Sequence, residues 1–204
     1  MRAGMGLLIE PGSRVLFQGD SITDAGRSRE DDAGMGRGYA GIIPAWFGAL
    51  YPAHRVTFLN RGIGGNRIRN LRERWEADCL KLEPDWVSIL IGINDTWRRY
   101  DSDDPTDAEA FAADYRAVLE VTRNTLGARM ILLEPFVLPV PEDRRSWRVD
   151  LDPKIQAVRD LAREFNALYI PLDGLFAAAA TRREPAFWAA DGVHPTQAGH
   201  AFIA

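Results

Sequence analysis

The fold is decided by a stretch near the N-terminus that reads Val15-Leu16-Phe17-Gln18-Gly19-Asp20-Ser21-Ile22-Thr23-Asp24. Its first three residues form a short apolar, β-favouring run, and Gly19-Asp20-Ser21 ends that run. Ser21 is therefore expected where a buried strand passes into a loop, at the edge of an open α/β sheet where ligands bind. Taken alone, the three residues are better explained as a plain βα connection in which Asp20 or Ser21 caps the next segment.

Apolar runs alternate with segments of helical period along the rest of the chain. The predicted strands cover residues 14–18, 55–60, 86–92, 129–134 and 168–172. The predicted helices cover residues 39–51, 67–82, 107–126, 151–166 and 196 onward. This alternation predicts an α/β fold with three α/β/α layers, in which a flavodoxin-like parallel five-stranded sheet has helices on both faces. The irregular stretch 134–150 is expected to be a functional loop or a mobile flap.

Composition bounds the class of protein. The 204 residues, 46% hydrophobic and 26% charged, fit one globular α/β domain over 1–204 that is large enough to have a sizeable core. A net charge of −4 without a Lys/Arg block makes nucleic acid an unexpected partner. The lone Cys79 suits a reduced thiol packed in a helix. The apolar run at 7–9 is too short for a signal peptide or a membrane span, so we expect a soluble cytoplasmic protein with no membrane partner.

Three strand exits carry residues that complement one another. They are Gly19-Asp20-Ser21, the segment 60–66 (Asn-Arg-Gly-Ile-Gly-Gly-Asn) and the segment 92–97 (Gly-Ile-Asn-Asp-Thr-Trp). In a flavodoxin-like order the first strand lies between the second and third, so these exits are neighbours. The serine offers a nucleophile, the glycine turn can present a backbone N–H, and the Asn94 amide can donate to an oxyanion. Taken singly, the second segment could be a tight turn, and Asn94 or Asp95 a helix cap.

The sequence does not contain the common cofactor motifs. The glycines of the segment 60–66 have the wrong spacing for Gly-x-Gly-x-x-Gly, and no Gly-Lys-Ser/Thr phosphate loop is present. With one cysteine and scattered histidines, no metal-ligand cluster is visible. We therefore expect neither a cofactor nor a metal.

The chain contains three histidines that could serve as a general base. His54 precedes the second strand, which places it at the opposite edge of the sheet from Ser21, and His200 lies within the last helical pattern. His194 stands in a loop before a helix start, three residues after Asp191. That spacing lets the carboxylate hold the imidazole in one tautomer, as a serine-activating base requires. Considered alone, the motif is explained equally well as a turn that starts the last helix.

Four blocks, taken in order, resemble the defining blocks of the GDSL esterases, also called SGNH hydrolases. They are Gly19-Asp20-Ser21-Ile22-Thr23, Gly62-Ile63-Gly64-Gly65-Asn66, Gly92-Ile93-Asn94-Asp95 and Asp191-Gly192-Val193-His194-Pro195, and the match spans Leu16 to Gly199. Segments 24–27, 38–39, 74–76 and 85–98 look like the branch of bacterial acetylxylan esterases. The resemblance implies a Ser21, Asp191 and His194 triad and an oxyanion hole formed by Ser21, Gly65 and Asn94. Gly65 is chosen over Gly62 because it directly precedes the Asn66 of its block.

Two departures from the family pattern stand out. Many members have Ser or Ala where this chain has Gly64, a change that leaves the donor role intact. The family's final helix starts at Thr196 and is only about two turns long here, so we expect it to depend on packing or on a missing tail.

The resemblance implies a serine esterase that removes acetyl groups from carbohydrates such as xylo-oligosaccharides through an acyl-enzyme. Trp97, Tyr100 and Trp188 are expected to be sugar platforms, although Trp188 could equally be a core residue. Asp20 and Asp95 are expected to be structural. Two alternatives stay open: a lysophospholipase or thioesterase of the same fold, and a non-catalytic carbohydrate-binding module. The expected partner is a small acylated carbohydrate, and a homo-oligomer is also considered.

Overall fold

The computed structural model describes residues 7–204, whose strands form one parallel five-stranded sheet. The strands are β1 (Arg14–Gly19), β2 (Thr57–Asn60), β3 (Trp86–Leu90), β4 (Arg129–Leu133) and β5 (Leu168–Ile170). Their order is β2-β1-β3-β4-β5, which confirms the predicted flavodoxin-like sheet. Chain order reverses beside β1, so the exits of β1, β2 and β3 are neighbours at the switch point.

Helices cover both faces of this sheet. In the described part of the chain they are α1 (Ser21–Asp24), α2 (Tyr39–Leu50), α3 (Ile68–Asp78), α4 (Ile93–Asp101), α5 (Ala108–Leu126), α6 (Arg148–Glu164), α7 (Leu172–Ala180), α8 (Pro185–Trp188) and α9 (Gln197–Ile203). Short 3₁₀ segments lie at 52–54, 80–82 and 142–147. The five predicted helices are present, and α1, α4, α7 and α8 are additional. None of the described helices is long and apolar enough to span a membrane.

The alternation of side chains along the strands divides the core into two layers. Leu16 of β1 and Ile89 of β3 pack on one face, with α3 and α5. Phe17 and Leu90 pack on the other, with α2 and α7. All five residues of β3 are buried, as expected for a central parallel strand covered on both sides. The thiol of Cys79 is free and fully buried in the first layer.

The last helix is held by packing. Phe202 of α9 contacts the rings of Phe176 and Trp188, at centroid distances of 5.2 and 5.3 Å. Thr196 caps the helix by accepting a hydrogen bond from the Gly199 N–H. His200 is buried, and its Nδ1 accepts a hydrogen bond from the first N–H of α2. These contacts supply the stability that a helix of this length lacks on its own.

Candidate active site

The nucleophile turn connects β1 to α1. Asp20 caps α1 because its Oδ1 accepts a hydrogen bond from the Ile22 N–H at 2.9 Å. Gly19 is required by close approach: a Cβ there would lie 2.2 Å from Thr23 Oγ1 and 2.4 Å from a β3 carbonyl oxygen. Ser21 is thus the first residue of α1 and half-buried at the carboxyl edge of the sheet. The Asp20 cap and an available serine occur together, so a role of this stretch as a βα connection does not exclude a role of Ser21 as the nucleophile.

Ser21, His194 and Asp191 form one continuous hydrogen-bonded chain. The Ser21 Oγ lies 2.9 Å from His194 Nε2, and His194 Nδ1 lies 2.7 Å from Asp191 Oδ2. The other carboxylate oxygen, Oδ1, accepts hydrogen bonds from the backbone N–H groups of His194 and Val193, at 2.7 and 3.0 Å. Asp191 therefore fixes both the backbone of its loop and the imidazole ring of His194.

The pKa shifts of His194 and Asp191 suit a general base at His194 Nε2. The hydrogen bond that His194 donates to Asp191 raises the pKa of His194 above its ordinary value, against the opposing effect of partial burial. Burial also opposes ionisation of Asp191, but the hydrogen bonds from His194 and the backbone outweigh it and hold the pKa of Asp191 well below its usual range. In the neutral imidazole the Nδ1–H donates to the carboxylate, which leaves the Nε2 lone pair facing the serine hydroxyl.

A glycine-rich loop, residues 62–66, lies beside the nucleophile. A Cβ at Gly64 would stand 3.8 Å from the Ser21 Cβ. The Gly62 N–H donates to Asn60 Oδ1 at 2.9 Å, and the Gly64 N–H donates to an α1 carboxylate at 3.3 Å. The N–H groups of Ser21 and Gly65, in contrast, donate to no group within residues 7–204. Among the glycines of this loop, only Gly65 can therefore offer its N–H to a ligand.

Asn94 is the second residue of α4, on the other side of Ser21. Its side chain is 5% exposed, and its Nδ2 donates to the Asn66 carbonyl oxygen at 3.1 Å. One amide hydrogen is committed to the loop 62–66, and the second is available to a ligand. The exits of β1, β2 and β3 and the loop before α9 thus bring together one hydroxyl, one base and three N–H donors, as an acyl-transfer site needs.

Two buried carboxyl groups lie behind these residues. Burial raises the pKa of Asp20 to about 7, and burial likewise raises the pKa of Asp95 to about 7. The Asp95 carboxyl group accepts a hydrogen bond from the Ile68 N–H at 3.2 Å, which ties α4 to the start of α3. The contacts of both groups with backbone N–H donors fit the structural roles expected for them.

An aromatic wall stands next to the imidazole. The ring of Trp97 lies 5.9 Å from that of His194 and 5.3 Å from that of Trp147, and Tyr100 stacks on Trp147 at 5.1 Å. The Arg144 guanidinium lies over both indoles, 5.2 Å from the Trp97 ring and 4.0 Å from the Trp147 ring. Two of the predicted sugar platforms, Trp97 and Tyr100, are therefore on one wall, and they share a buried tryptophan that sequence reasoning missed.

The stretch 134–150 supports the site and is not a free flap. Its first half is buried, as is Trp147 near its end. The Leu138 N–H donates to the Gly192 carbonyl oxygen at 2.8 Å. A Cβ at Gly192, whose φ is +82°, would lie 2.4 Å from the carbonyl oxygens of Leu138 and Val140. Only glycine permits this approach, which braces the loop that carries Asp191 and His194.

The ring of Trp188 contacts none of the rings of the aromatic wall. Its ring packs against Phe187 and Phe202, at 5.0 and 5.3 Å, and lines a shallow apolar cavity of about 220 Å³ beside α7. We therefore assign it no place on the wall beside His194, and its alternative interpretation as a packing residue fits better. Among the described residues, no group of three or more His, Cys, Asp or Glu side chains could hold a metal ion.

A hydrogen-bonded Ser, His and Asp chain at the switch point of a flavodoxin-like sheet, beside unpaired N–H donors, defines a serine hydrolase. Residues 17–202 match the model of the GDSL-like lipase/acylhydrolase family. The chain belongs to this family and is a carboxylic ester hydrolase.

Individual relatives agree with this assignment. The chain is 36% identical over 203 residues to the acetylxylan esterase of Geobacillus stearothermophilus, with 96% of this chain and 92% of that protein covered. The crystal structure of that enzyme matches with a TM-score of 0.90 at 34% identity, over 97% of this chain and 93% of the other. A structure described as a GDSL-like lipase from Parabacteroides merdae matches with a TM-score of 0.92 at 35% identity, over 96% and 93%. Structures of the Geobacillus enzyme include catalytic mutants with alanine in place of a serine, an aspartate or a histidine.

Proposed function

We propose that this protein is a serine acetylesterase that removes acetyl groups from small carbohydrates, such as xylo-oligosaccharides, through an acyl-enzyme. The observation that carries the proposal is the hydrogen-bonded chain from Ser21 through His194 to Asp191, with 2.9 and 2.7 Å between the bonded atoms. The whole chain over 1–204 is proposed to act as one catalytic domain.

In the acylation step, His194 Nε2 takes the hydroxyl proton of Ser21 while the Oγ attacks the ester carbonyl carbon. The carbonyl electron pair moves onto oxygen, which accepts hydrogen bonds from the N–H groups of Ser21 and Gly65 and from the Asn94 amide. The pair then returns, the bond to the sugar oxygen breaks, and the imidazolium protonates that oxygen. The products are a free sugar hydroxyl and acetyl-Ser21.

Deacylation repeats the sequence with water as the nucleophile. His194 takes a proton from the water as it attacks the acetyl carbonyl, and the same N–H donors hold the second oxyanion. Collapse releases acetic acid, and the imidazolium returns its proton to the Ser21 Oγ. Asp191 stays ionised throughout, because its depressed pKa keeps it so, and it stabilises the imidazolium in both steps.

Two features support a carbohydrate ester as substrate. The relative with 36% identity is an acetylxylan esterase. The wall formed by Trp97 and Tyr100 offers partly exposed aromatic faces next to His194, which suit stacking on a pyranose ring. An enzyme specific for long acyl chains would instead need a continuous aliphatic groove beside the nucleophile.

The acyl specificity is tested by kcat/KM for 4-nitrophenyl acetate, butyrate and octanoate, alongside acetate release from peracetylated xylose. We expect kcat/KM to fall steeply beyond the shortest chain, with clear release of acetate from the sugar. A preference for octanoate would replace this proposal with the lysophospholipase or thioesterase alternative. A complete lack of turnover on every ester would favour a non-catalytic carbohydrate-binding module.

The sugar platform is tested by Trp97→Ala, with Trp46→Ala as a matched control, since Trp46 is 68% exposed on α2. We expect the first variant to raise KM for the sugar acetate and to leave KM for 4-nitrophenyl acetate nearly unchanged. The control should change neither. Equal effects of Trp97→Ala on both substrates would remove the stacking role.

A cytoplasmic location and a homo-oligomeric state remain predictions from the sequence. Cell fractionation tests the first, because the protein is expected with the cytosolic fraction. Light scattering coupled to size exclusion tests the second, and a mass of 22.8 kDa at all concentrations would exclude self-association.

A further inference from the structure

Arg74 of α3 lies against the back of the loop 62–66, and its side chain is only 15% exposed. All three guanidinium nitrogens donate hydrogen bonds. Nε donates to Asn66 Oδ1 at 2.9 Å, Nη1 to Gln18 Oε1 at 3.0 Å and to Asp78 Oδ2 at 2.9 Å, and Nη2 to the Gly19 carbonyl oxygen at 3.4 Å. One side chain therefore joins the end of β1 to the glycine-rich loop.

The contacts of Arg74 lie next to each proposed oxyanion donor. The Gly19 carbonyl is two residues before Ser21, whose N–H is the first donor. Asn66 directly follows Gly65, which supplies the second donor, and its backbone oxygen holds the Asn94 amide at 3.1 Å. The guanidinium thus fixes the distance between the serine turn and the loop 62–66. The three donors can point at the same oxyanion only if this distance is maintained.

These contacts depend on the planar, forked shape of the arginine guanidinium. Burial lowers the pKa of Arg74, and the hydrogen bond to Asp78 one turn along the helix opposes that effect only in part. The Asp78 pair alone satisfies the charge, but three further N–H directions reach the strand end and the loop. A lysine ammonium is a point donor on a flexible stem and cannot span these groups in one plane.

We infer that Arg74 is a positioning residue of the oxyanion hole, which aligns the donors of Ser21, Gly65 and Asn94 through its contacts with Gly19 and Asn66. The inference rests on the proposed function of these donors. Misplacement of a catalytic group by 1 Å can cost about 10²-fold in rate, and the loss falls on the transition state and not on ester binding.

The test compares Arg74→Met and Arg74→Lys with Arg72→Met, a control on the same helix whose side chain is 60% exposed and pairs with Asp114. We measure kcat and KM for 4-nitrophenyl acetate, and inhibition by a boronic acid that forms a tetrahedral adduct with serine. Both Arg74 variants should lower kcat by about 10- to 100-fold and weaken boronate binding to a similar extent, with KM nearly unchanged. The control should match the wild type.

The pH profile separates positioning from general damage. The acid limb of kcat/KM should keep its midpoint in both Arg74 variants, because Arg74 does not contact His194 or Asp191. Wild-type kcat in Arg74→Met would overturn the inference. Full activity in Arg74→Lys would overturn it as well, because charge without the fork would then suffice. A raised KM at constant kcat, or a shifted midpoint, would also contradict it.

Asn66→Ala decides the matter if Arg74→Met does not fold. This variant removes the side chain that Arg74 holds and keeps the backbone oxygen that accepts from Asn94. We expect kcat to fall as in Arg74→Met, and the double variant to be no slower than the slower single variant. Wild-type kcat in Asn66→Ala, or multiplicative losses in the double variant, would overturn the inference. Ser21→Ala separates the two claims: activity in that variant defeats the proposed function, whereas an inactive Ser21→Ala with an unaffected Arg74→Met defeats only this inference.

Discussion

Replacement of Asn94 by alanine is the perturbation whose effect the structure defines most closely. One Nδ2 hydrogen is held by the Asn66 carbonyl oxygen at 3.1 Å, and the other remains for the oxyanion. Alanine removes a donor that meets full negative charge only in the transition state. Loss of one such donor costs about 2.7 to 4 kcal/mol, so we expect kcat to fall by about 10²- to 10³-fold. KM should change little, because the ground-state carbonyl carries little charge.

The same substitution has a modest cost in folding. It leaves the half-buried Asn66 carbonyl oxygen without this donor, a loss of at most about 1 to 3 kcal/mol. Against a typical stability of about 5 to 15 kcal/mol, the variant should remain folded at 25 °C. Asn124→Ala is the matched control, because it makes the same chemical change at an exposed position on α5. It should retain the kcat of the wild type.

The assay is steady-state hydrolysis of 4-nitrophenyl acetate above pH 8, with thermal melts of all three proteins. A drop in kcat at constant KM in the folded variant supports the assignment of Asn94. If KM rises while kcat holds, Asn94 binds the ground state and the reasoning about the oxyanion is wrong. If both kcat and KM are unchanged, Asn94 has no role in the site.

The remaining predictions concern pH, the orienting carboxylate and the glycines. Wild-type kcat/KM should fall at acid pH with a midpoint above about 6.5, because the base must be neutral and the pKa of His194 is raised; a pH–rate profile with its midpoint below 6 would contradict this. Asp191→Asn should lower kcat by about 10⁴-fold and move the midpoint to lower pH, since the group that holds the tautomer and raises the pKa is lost. An unmoved midpoint in that variant would show that the pairing is not formed in solution. Gly64→Ser should keep nearly wild-type kcat, because its Cβ would make an ordinary 3.8 Å contact, whereas Gly62→Ala should lower the melting temperature, because its Cβ would lie 2.4 Å from a backbone nitrogen of α1. Equal melting temperatures for the two glycine variants would refute that contrast.

The five strands were predictable because most have a clear apolar run that ends at a glycine or polar residue, and their alternation with helical segments indicated a parallel, flavodoxin-like sheet. Boundaries were less accurate. The third strand ends at Leu90 instead of 92, because Gly92 takes a φ of +130° that leaves strand geometry. Helix α4 was not predicted, because Asn94 and Asp95 in its first turn are polar residues that also fit a cap or a turn, whereas the structure buries both within the helix. Its burial reflects the site that it builds.

Some residues of the candidate site were predictable from the sequence and others were not. Ser21, Asn94 and the Asp191 to His194 segment each lie at an end of a strand or helix, where short motifs carry a local signal. The aromatic wall depends on tertiary contacts: Trp147 lies in a 3₁₀ segment without helical period, and nothing in its neighbourhood indicates a contact with Trp97. Likewise, Arg74 and Asp78 show an i,i+4 spacing, but the reach of the guanidinium to Asn66 and Gln18 exists only in the folded chain.

The covalent step at Ser21 is tested most directly by labelling with a 4-nitrophenyl phosphonate, whose phosphorus forms a bond to the attacking oxygen as nitrophenolate leaves. Peptide mass mapping then locates the adduct. We predict one phosphonyl group per chain, on the peptide that contains Ser21, together with loss of esterase activity. Ser21→Ala should take up no label, hydrolyse no ester and keep the melting temperature of the wild type. An adduct on a different residue, or full turnover by the folded alanine variant, would contradict the account.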